Sequence, residues 1–172
     1  MSSAILENQA RETGSSETGG SFQLVSFHLA DESYGIEITK VREIILMGEI
    51  TRIPHTPDYV KGLINLRSTV IPVIDLRIRF ALPEAELTGE SRIMVINVRG
   101  KTIGIIVDAV SEVLRITNDQ IASPPPTVAG LGREYLTGLV KLEERLLILL
   151  DIDKILGAEE TDGLEALAQV HR

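Results

Sequence analysis

An internal repeat is the feature of this sequence that most limits its possible folds. Residues 62–76, GLINLRSTVIPVIDL, return at residues 138–152 as GLVKLEERLLILLDI, with each position shifted by 76. The same shift matches Tyr59 to Tyr135 without a gap. Each stretch places two apolar runs around a short polar turn, which is the pattern of a β-hairpin. The chain is therefore predicted to contain the same hairpin twice.

Segments upstream of each hairpin repeat as well. VREII at residues 41–45 matches VSEVL at residues 110–114, and Gly35 matches Gly104, each with a shift of 69. The shift grows to 76 in the linker before the second hairpin, where inserted residues cost little. The repeat covers about five strands, and short strands in that number close most economically into a small barrel. The predicted fold class is mainly β, with two five-stranded barrels from an internal duplication and short helices after the hairpins and at the C-terminus.

Composition and pattern divide the chain into three parts. Residues 1–21 include a stretch rich in Gly, Ser and Glu without an apolar period, and we expect a disordered tail there. Residues 22–156 are the predicted folded domain, in which two interleaved barrel subdomains span roughly 22–90 and 91–156. Residues 157–172 are expected to form a C-terminal helix or tail. The apolar positions of that helix share one face: Leu164, Leu167 and Ala168.

An aspartate follows the last strand of each hairpin. Asp75 and its repeat equivalent Asp151 can each accept hydrogen bonds from the exposed N–H groups of a helical first turn. Asp151 and Asp153 could also hold a hard cation. Capping explains the carboxylate in both copies, so capping is the preferred interpretation.

Composition excludes several classes of function. The chain has 172 residues, a net charge of −8, three tyrosines, three phenylalanines and no tryptophan or cysteine. An acidic chain lacks the basic surface that nucleic-acid binding requires, so we expect its partners to be proteins. The longest apolar run, residues 146–150, is far shorter than a membrane-spanning helix. A cytoplasmic location without direct membrane insertion is therefore predicted.

The sequence offers no candidate catalytic or metal site. His28, His55 and His171 lie far apart in the chain, without the spacing typical of a shared metal. Phosphate-binding glycine loops, a nucleophile elbow and a nucleophilic cysteine are all missing from the sequence. We therefore predict a protein that is not an enzyme and that uses no cofactor or metal.

The tips of the two hairpins differ in their polar and charged residues. Asn65 and Arg67 in the first copy become Lys141 and Glu143 in the second. Asn65 and Arg67 are two residues apart, so their side chains share one face of the strand. Considered alone, Arg67 fits a solvated turn charge, because most charged side chains are exposed.

Four segments resemble the CheW family of chemotaxis coupling proteins. They are YGIEITKVREII at residues 34–45, IPHTPDYVKGLINLRSTVIPVIDLRIRF at 53–80, IGIIVDAVSEVL at 103–114 and YLTGLVKLEERLLILLDIDKIL at 135–156. The resemblance implies a pair of five-stranded SH3-like barrels around a shared apolar centre. It also implies a non-enzymatic adaptor that links the cytoplasmic tips of chemoreceptors to the CheA histidine kinase, at receptor arrays on the inner face of the membrane.

Two family motifs assign residues to partner binding. The segment Asn65-Leu66-Arg67 matches the family's N-L-R-G motif, whose arginine is implicated in coupling to partners. Val41 and Glu43 match the V-x-E-I motif, which contributes to a receptor-binding groove between the barrels, and Val113 matches its second-half equivalent. An apolar groove with charged residues that fix the register would accept a helical tip of a partner. The predicted partner-binding residues are Val41, Glu43, Ile44, Asn65, Arg67 and Val113.

Two aspects of this assignment stay open in the sequence. Valine in a strand is usually buried, so Val41 and Val113 fit core positions as well as groove walls. Ser68 replaces the glycine of the N-L-R-G motif. If that glycine supplies a positive φ, the turn here requires some strain or a different geometry.

Two alternative functions are compatible with parts of the pattern. The same adaptor role in a non-flagellar pathway, such as one that controls surface motility, gives the same sequence features and is separated only by gene neighbourhood. A small barrel that binds nucleic acid or a small ligand predicts a basic face with stacking aromatic residues. The acidic charge and the scarcity of aromatic residues disfavour this second alternative.

Overall fold

Strands dominate the computed structural model, which describes residues 20–123 and 135–170. The strands are β1 (Ser21–Leu29), β2 (Glu32–Glu37), β3 (Val41–Leu46), β4 (Val60–Leu66), β5 (Thr69–Asp75), β6 (Arg92–Val98), β7 (Lys101–Val107), β8 (Ala109–Thr117), β9 (Ile121–Ala122), β10 (Leu136–Lys141) and β11 (Leu146–Leu150). The helices are α1 (Leu76–Arg79) and α2 (Ala158–Val170), and 3-10 turns follow β2, β8 and β11.

The described strands form two sheets of similar size. The first barrel is built on the five-stranded sheet β3-β6-β7-β5-β4, and the second barrel on the six-stranded sheet β8-β1-β2-β11-β10-β9. The first copy of the repeat contains the five strands β1, β2, β3, β4 and β5. Their equivalents in the second copy are β6, β7, β8, β10 and β11, and the two-residue strand β9 is an addition to the second barrel. The prediction of a mainly β fold with two small barrels from a duplication is confirmed.

The two copies of the repeat exchange their first hairpins. β1 and β2 of the first copy pair with β8 and β11, whereas β6 and β7 of the second copy pair with β3 and β5. The registers are equivalent, because Gly104 lies opposite Val73 in one parallel pairing and Gly35 lies opposite Leu149 in the other. This agreement in register is direct structural evidence for the duplication.

The exchange has a simple cause in the length of the connections. Asp108 alone separates β7 from β8, so the chain passes directly from the first sheet into the second. One residue cannot reverse the chain for a hairpin between these strands. Neither of the predicted ranges, 22–90 and 91–156, coincides with one sheet, because each sheet takes strands from both ranges.

Each barrel is closed by the chain that leaves its edge strand. In the first barrel, Thr51 follows the edge strand β3 and exchanges two backbone hydrogen bonds of 2.8 Å with Leu63 on the opposite edge strand, β4. Gly62 is required beside this bridge, because a Cβ atom there would lie 2.1 Å from the carbonyl oxygen of Thr51. In the second barrel, β9 pairs with β10 in the equivalent position.

Three apolar clusters form the core of the described residues. The central cluster takes residues from both sheets, among them Phe27, Tyr34, Ile74, Ile96 and Leu150. The first barrel has an interior of Ile64, Ile71, Val73, Ile93, Val95 and Ile106, and the second of Leu24, Ile116, Val140, Leu147 and Leu149. Burial stabilises each such side chain by roughly 1.5–3 kcal/mol relative to exposure. The central cluster therefore joins the two barrels around one apolar centre, as the resemblance implied.

Both predicted aspartate caps are present. The Asp75 carboxylate accepts from the N–H of Arg77 at 2.9 Å and begins α1, and the Asp151 carboxylate accepts from the N–H of Asp153 at 3.1 Å. The predicted apolar face of α2 packs against the core through Leu164, Leu167 and Ala168. Capping thus accounts for the aspartate in both copies.

The N-terminal and linker predictions fall partly outside the described residues. β1 begins at Ser21, which is the last residue of the predicted tail, and it pairs there with Thr117 on β8. Residues 1–19 of the predicted tail and the triple proline at 124–126 lie outside the described residues. The prediction of a disordered tail therefore stays a prediction.

Candidate partner-binding site

The tip of the β4–β5 hairpin is a two-residue turn with an unusual backbone. Leu66 pairs with Thr69, and the two residues between them, Arg67 and Ser68, have φ values of +50° and +68°. Positive φ at both central positions is the type I′ geometry that matches the twist of paired strands. Serine adopts this left-handed conformation at a cost of about 1 kcal/mol. Of the two outcomes expected for Ser68, the turn therefore adopts the strained one.

Glu43 on β3 holds the guanidinium of Arg67 at this tip. Arg67 Nη1 donates to Glu43 Oε1 at 3.2 Å, and Nη2 donates to Oε2 in a second, shorter hydrogen bond. The Arg67 side chain is 72% exposed, whereas that of Glu43 is only 17% exposed. The hydrogen bonds and charge of Glu43 raise the pKa of the Arg67 guanidinium. The pair thus presents an oriented guanidinium to solvent, and the carboxylate that neutralises it is mostly buried.

The apolar residues assigned to the site occupy two different environments. Val41 is buried in the central cluster, which is the core position that the alternative interpretation gave it. Ile44 on β3 and its repeat equivalent Val113 on β8 are partly exposed and pack against the same cluster. Ile44 and Val113 are therefore accessible to a partner, whereas Val41 is a core residue.

Asn65 completes the predicted set on the strand that leads to the turn. It is exposed on β4, opposite Val70 on β5. The geometry thus brings Glu43 and Arg67 into contact, places Asn65 two residues from Arg67, and leaves Val41 in the core.

Arg42 is a neighbour of the site that the sequence analysis did not select. It is exposed on β3, and its Nη1 donates to the Thr102 hydroxyl on β7 at 3.1 Å. Arg42, Arg67, Thr69 and Thr102 line one small cavity together. The sequence contains only a weak indication that Arg42 belongs to the site, because Arg42 occupies the variable position of the V-x-E-I motif and its second-copy equivalent is Ser111.

The second barrel carries a related ion pair at its own hairpin tip. Glu112, the repeat equivalent of Glu43, accepts from Arg145 Nη2 at 3.2 Å, and both side chains are far more exposed than Glu43. Glu143, the repeat equivalent of Arg67, is exposed in a turn that the Leu142 N–H closes on the Arg145 carbonyl at 2.9 Å. Arg145 is the repeat equivalent of Thr69 and not of Arg67, so comparing the copies residue by residue missed this pair.

The described residues contain few other features that suggest chemistry. Within residues 20–123 and 135–170, no three His, Asp or Glu side chains lie close enough together to hold a metal ion. Over the same residues, the helices are too short or too polar to cross a membrane. Phe27, Tyr34 and Phe80 are buried and form part of a row of rings with centroid separations of 5.8 and 6.0 Å. These aromatic side chains stabilise the core and are not exposed for stacking on a ligand.

Comparison with known proteins places this chain in a family. The CheW-like domain family matches residues 23–160. The chain is 44% identical to chemotaxis protein CheW of Klebsiella aerogenes, over 90% of this chain and 93% of the relative. It is 40% identical to chemotaxis protein CheW of Treponema pallidum, over 85% of this chain and 88% of the relative.

A solved structure with the same fold supports this relationship. The crystal structure of the scaffolding protein TtCheW from Thermoanaerobacter tengcongensis superposes with a TM-score of 0.74 at 36% identity. The match covers 81% of this chain and 96% of that chain. Agreement in sequence, fold and length leads to one conclusion: the chain belongs to the CheW-like domain family.

Proposed function

We propose that this protein is a non-enzymatic chemotaxis adaptor that couples chemoreceptors to the CheA histidine kinase. Relatives that match nearly the whole chain are named chemotaxis protein CheW, and a structural neighbour is named a scaffolding protein. The observation that carries the proposal is the exposed guanidinium of Arg67, held by Glu43 at the tip of a rigid hairpin. Such a group is suited to recognition of a protein surface, where arginine is a frequent anchor.

The proposed mechanism assigns different tasks to the apolar and charged parts of the site. Ile44 and Val113 provide accessible apolar surface against which a helical receptor tip buries its own apolar residues. Arg67 and Glu43 fix the register of that helix, because a misplaced partner would leave a charge unpaired. The protein thereby acts as a bridge in the cytoplasm, at receptor arrays on the inner face of the membrane.

The second partner is proposed to bind a barrel surface outside this site. The molecule has two barrels of similar construction, and their hairpin tips carry different charges. Two unlike tips allow one adaptor to bind two unlike partners simultaneously, which is the minimum requirement for coupling.

The test is assembly of the three proteins in solution. Size-exclusion chromatography of this protein with CheA and a receptor cytoplasmic fragment from the same organism should yield one complex that contains all three. Each pair is run separately as the control for the contribution of each interface. Elution of this protein alone in every mixture would refute the proposed function.

A further inference from the structure

The cavity beside the Arg67–Glu43 pair has room for one side chain of a partner. Its volume is about 250 Å³, below the range of about 300–1,000 Å³ that is typical of small-molecule pockets. Ile71 and Val95 contribute buried apolar surface, and Leu66 is half-buried. The polar part consists of Thr69, Thr102 and two arginines, Arg42 and Arg67. We name this cavity the Arg42 socket.

The charges in the Arg42 socket do not balance. Glu43 is the one carboxylate among its lining residues, and both of its oxygens accept from Arg67. Arg42 donates to the neutral hydroxyl of Thr102, and within the described residues no ion pair joins Arg42 to a carboxylate. The socket therefore carries one uncompensated positive charge, on the surface of a chain whose net charge is −8.

We infer that the Arg42 socket receives an aspartate or glutamate side chain of a partner protein. This inference rests on the proposed function and specifies the chemistry of the partner at that site. A guanidinium has five N–H donors, and the contact with Thr102 uses one of Arg42's. The remaining donors, with the hydroxyls of Thr69 and Thr102, form a rim that can bind a carboxylate through charge-assisted hydrogen bonds. Arg42 thereby selects an acidic partner residue, while Arg67 is already oriented by Glu43.

Substitutions of Arg42 test this inference by titration against the receptor fragment and the kinase separately. Arg42→Gln should weaken binding to one of the two partners by about tenfold or more, the scale for a lost hydrogen bond to a charged group. Arg42→Glu should weaken it further, because it places like charges together. Arg42→Lys keeps the charge and should retain most of the affinity. The melting temperature of each variant should stay at the wild-type value, since Arg42 is exposed.

Arg52→Gln is the matched control. Arg52 is also an exposed arginine, and it lies in the linker between β3 and β4, where it lines a different cavity. Its substitution makes the same change in net charge and should leave both affinities within about twofold, as expected for a surface residue outside an interface.

A charge exchange identifies the partner residue. Acidic residues of the affected partner are replaced by arginine one at a time, and one of these variants should bind Arg42→Glu better than it binds the wild-type protein. Wild-type affinity of Arg42→Gln and Arg42→Glu for both partners would overturn the inference and leave the proposed function intact. Failure of the wild-type protein to bind either partner would overturn the proposed function and the inference with it.

Discussion

Arg67 shows how a surface residue is prepared for binding by its neighbours. An exposed arginine usually loses considerable side-chain freedom when a partner immobilises it. Here the turn fixes the backbone, and Glu43 fixes the guanidinium through two hydrogen bonds. Exposed ion pairs of this kind add little to stability, so the role we assign to Glu43 is to position Arg67.

Arg67→Ala is expected to separate binding from stability. The side chain is mostly exposed, so the melting temperature should change little. Affinity for the receptor fragment or the kinase should fall by about thirtyfold, the scale of an interfacial arginine hot spot. Thermal melts and titrations of the purified variant measure both quantities. Glu143→Ala alters the equivalent turn of the second barrel and should affect receptor binding less. Unchanged affinity of Arg67→Ala for both partners would make Arg67 a solvated turn charge.

Ser68→Gly is expected to stabilise the protein. Glycine adopts a φ of +68° without the steric cost that serine bears, so the free energy of unfolding should rise by up to about 1 kcal/mol. Urea unfolding measures the change. The β6–β7 turn provides the reverse experiment, because Gly100 has a φ of +81° and open space around its Cβ position. Gly100→Ser should lower stability by a similar amount, and equal stability of wild type and both variants would show that serine bears no steric cost at positive φ in either turn.

The sequence identified the residues of the site better than it identified their contacts. Motifs that match those of the family pointed to Arg67 and Glu43. The contact between the two side chains, however, depends on the register between β3 and β6 and on the hairpin turn. Arg42 was missed because a single exposed arginine on a strand looks like any solvated charge. Its significance comes from Thr102, 60 positions away in the chain.

At the level of elements, α2 is held against the first barrel by a group of polar contacts. Arg79 on α1 donates two hydrogen bonds of 2.9 Å to Glu160, and its Nε donates to the Ile155 carbonyl at 2.8 Å. Glu160 also accepts from the Tyr59 hydroxyl at 3.1 Å and from the Gly157 N–H at 2.9 Å. One carboxylate thus joins α1, α2 and the residue before β4.

The contribution of Glu160 should depend on pH. Burial raises the pKa of this carboxyl, but the Gly157 N–H, the Arg79 charge and hydrogen bonds from Tyr59 and Arg79 outweigh burial and lower the pKa. A carboxyl with a lowered folded-state pKa stabilises the fold above its unfolded pKa, and that stabilisation is lost as the pH falls through the folded value. The unfolded value for glutamate is about 4.3.

Glu160→Gln tests this dependence through urea unfolding between neutral and acidic pH. The variant should be less stable than wild type near neutrality, and the difference should shrink as the pH falls below about 4.3. Glu159→Gln is the matched control, because Glu159 precedes it on α2 and is exposed. If the free energies of unfolding of wild type and Glu160→Gln differed by the same amount at every pH, the charge of the Glu160 carboxylate would not contribute to stability.

Strand positions followed from the sequence, whereas strand partners did not. The repeat, the turns and the apolar periods located the hairpins, because these signals are local. The two copies would be equally similar in sequence whether each hairpin paired within its own copy or with the other copy, so the repeat does not reveal the strand partners. The exchange is decided by short connections such as Asp108, which force the chain from one sheet into the other.

At the scale of the whole molecule, the exchange makes the two copies depend on each other. Each sheet combines strands from both copies, and the central cluster takes side chains from both sheets. A single copy would therefore lack two strands of its sheet and much of its apolar contact surface. Small domains have little stability to lose, because their free energy of unfolding is only about 0.05–0.15 kcal/mol per residue.

We therefore predict that neither copy folds alone and that the two copies fold together. The chain can be divided within residues 83–90, which are exposed between α1 and β6. Separate fragments 1–86 and 87–172 should each lack a cooperative thermal transition by circular dichroism. An equimolar mixture should regain the strand signal and melt cooperatively, because β6 and β7 then pair with β3 and β5. The intact chain with a protease site at the same position, cleaved after folding, controls for damage at the cut. A cooperative transition in either fragment alone would show that one copy is an independent folding unit and that the exchanged hairpins are not required for stability.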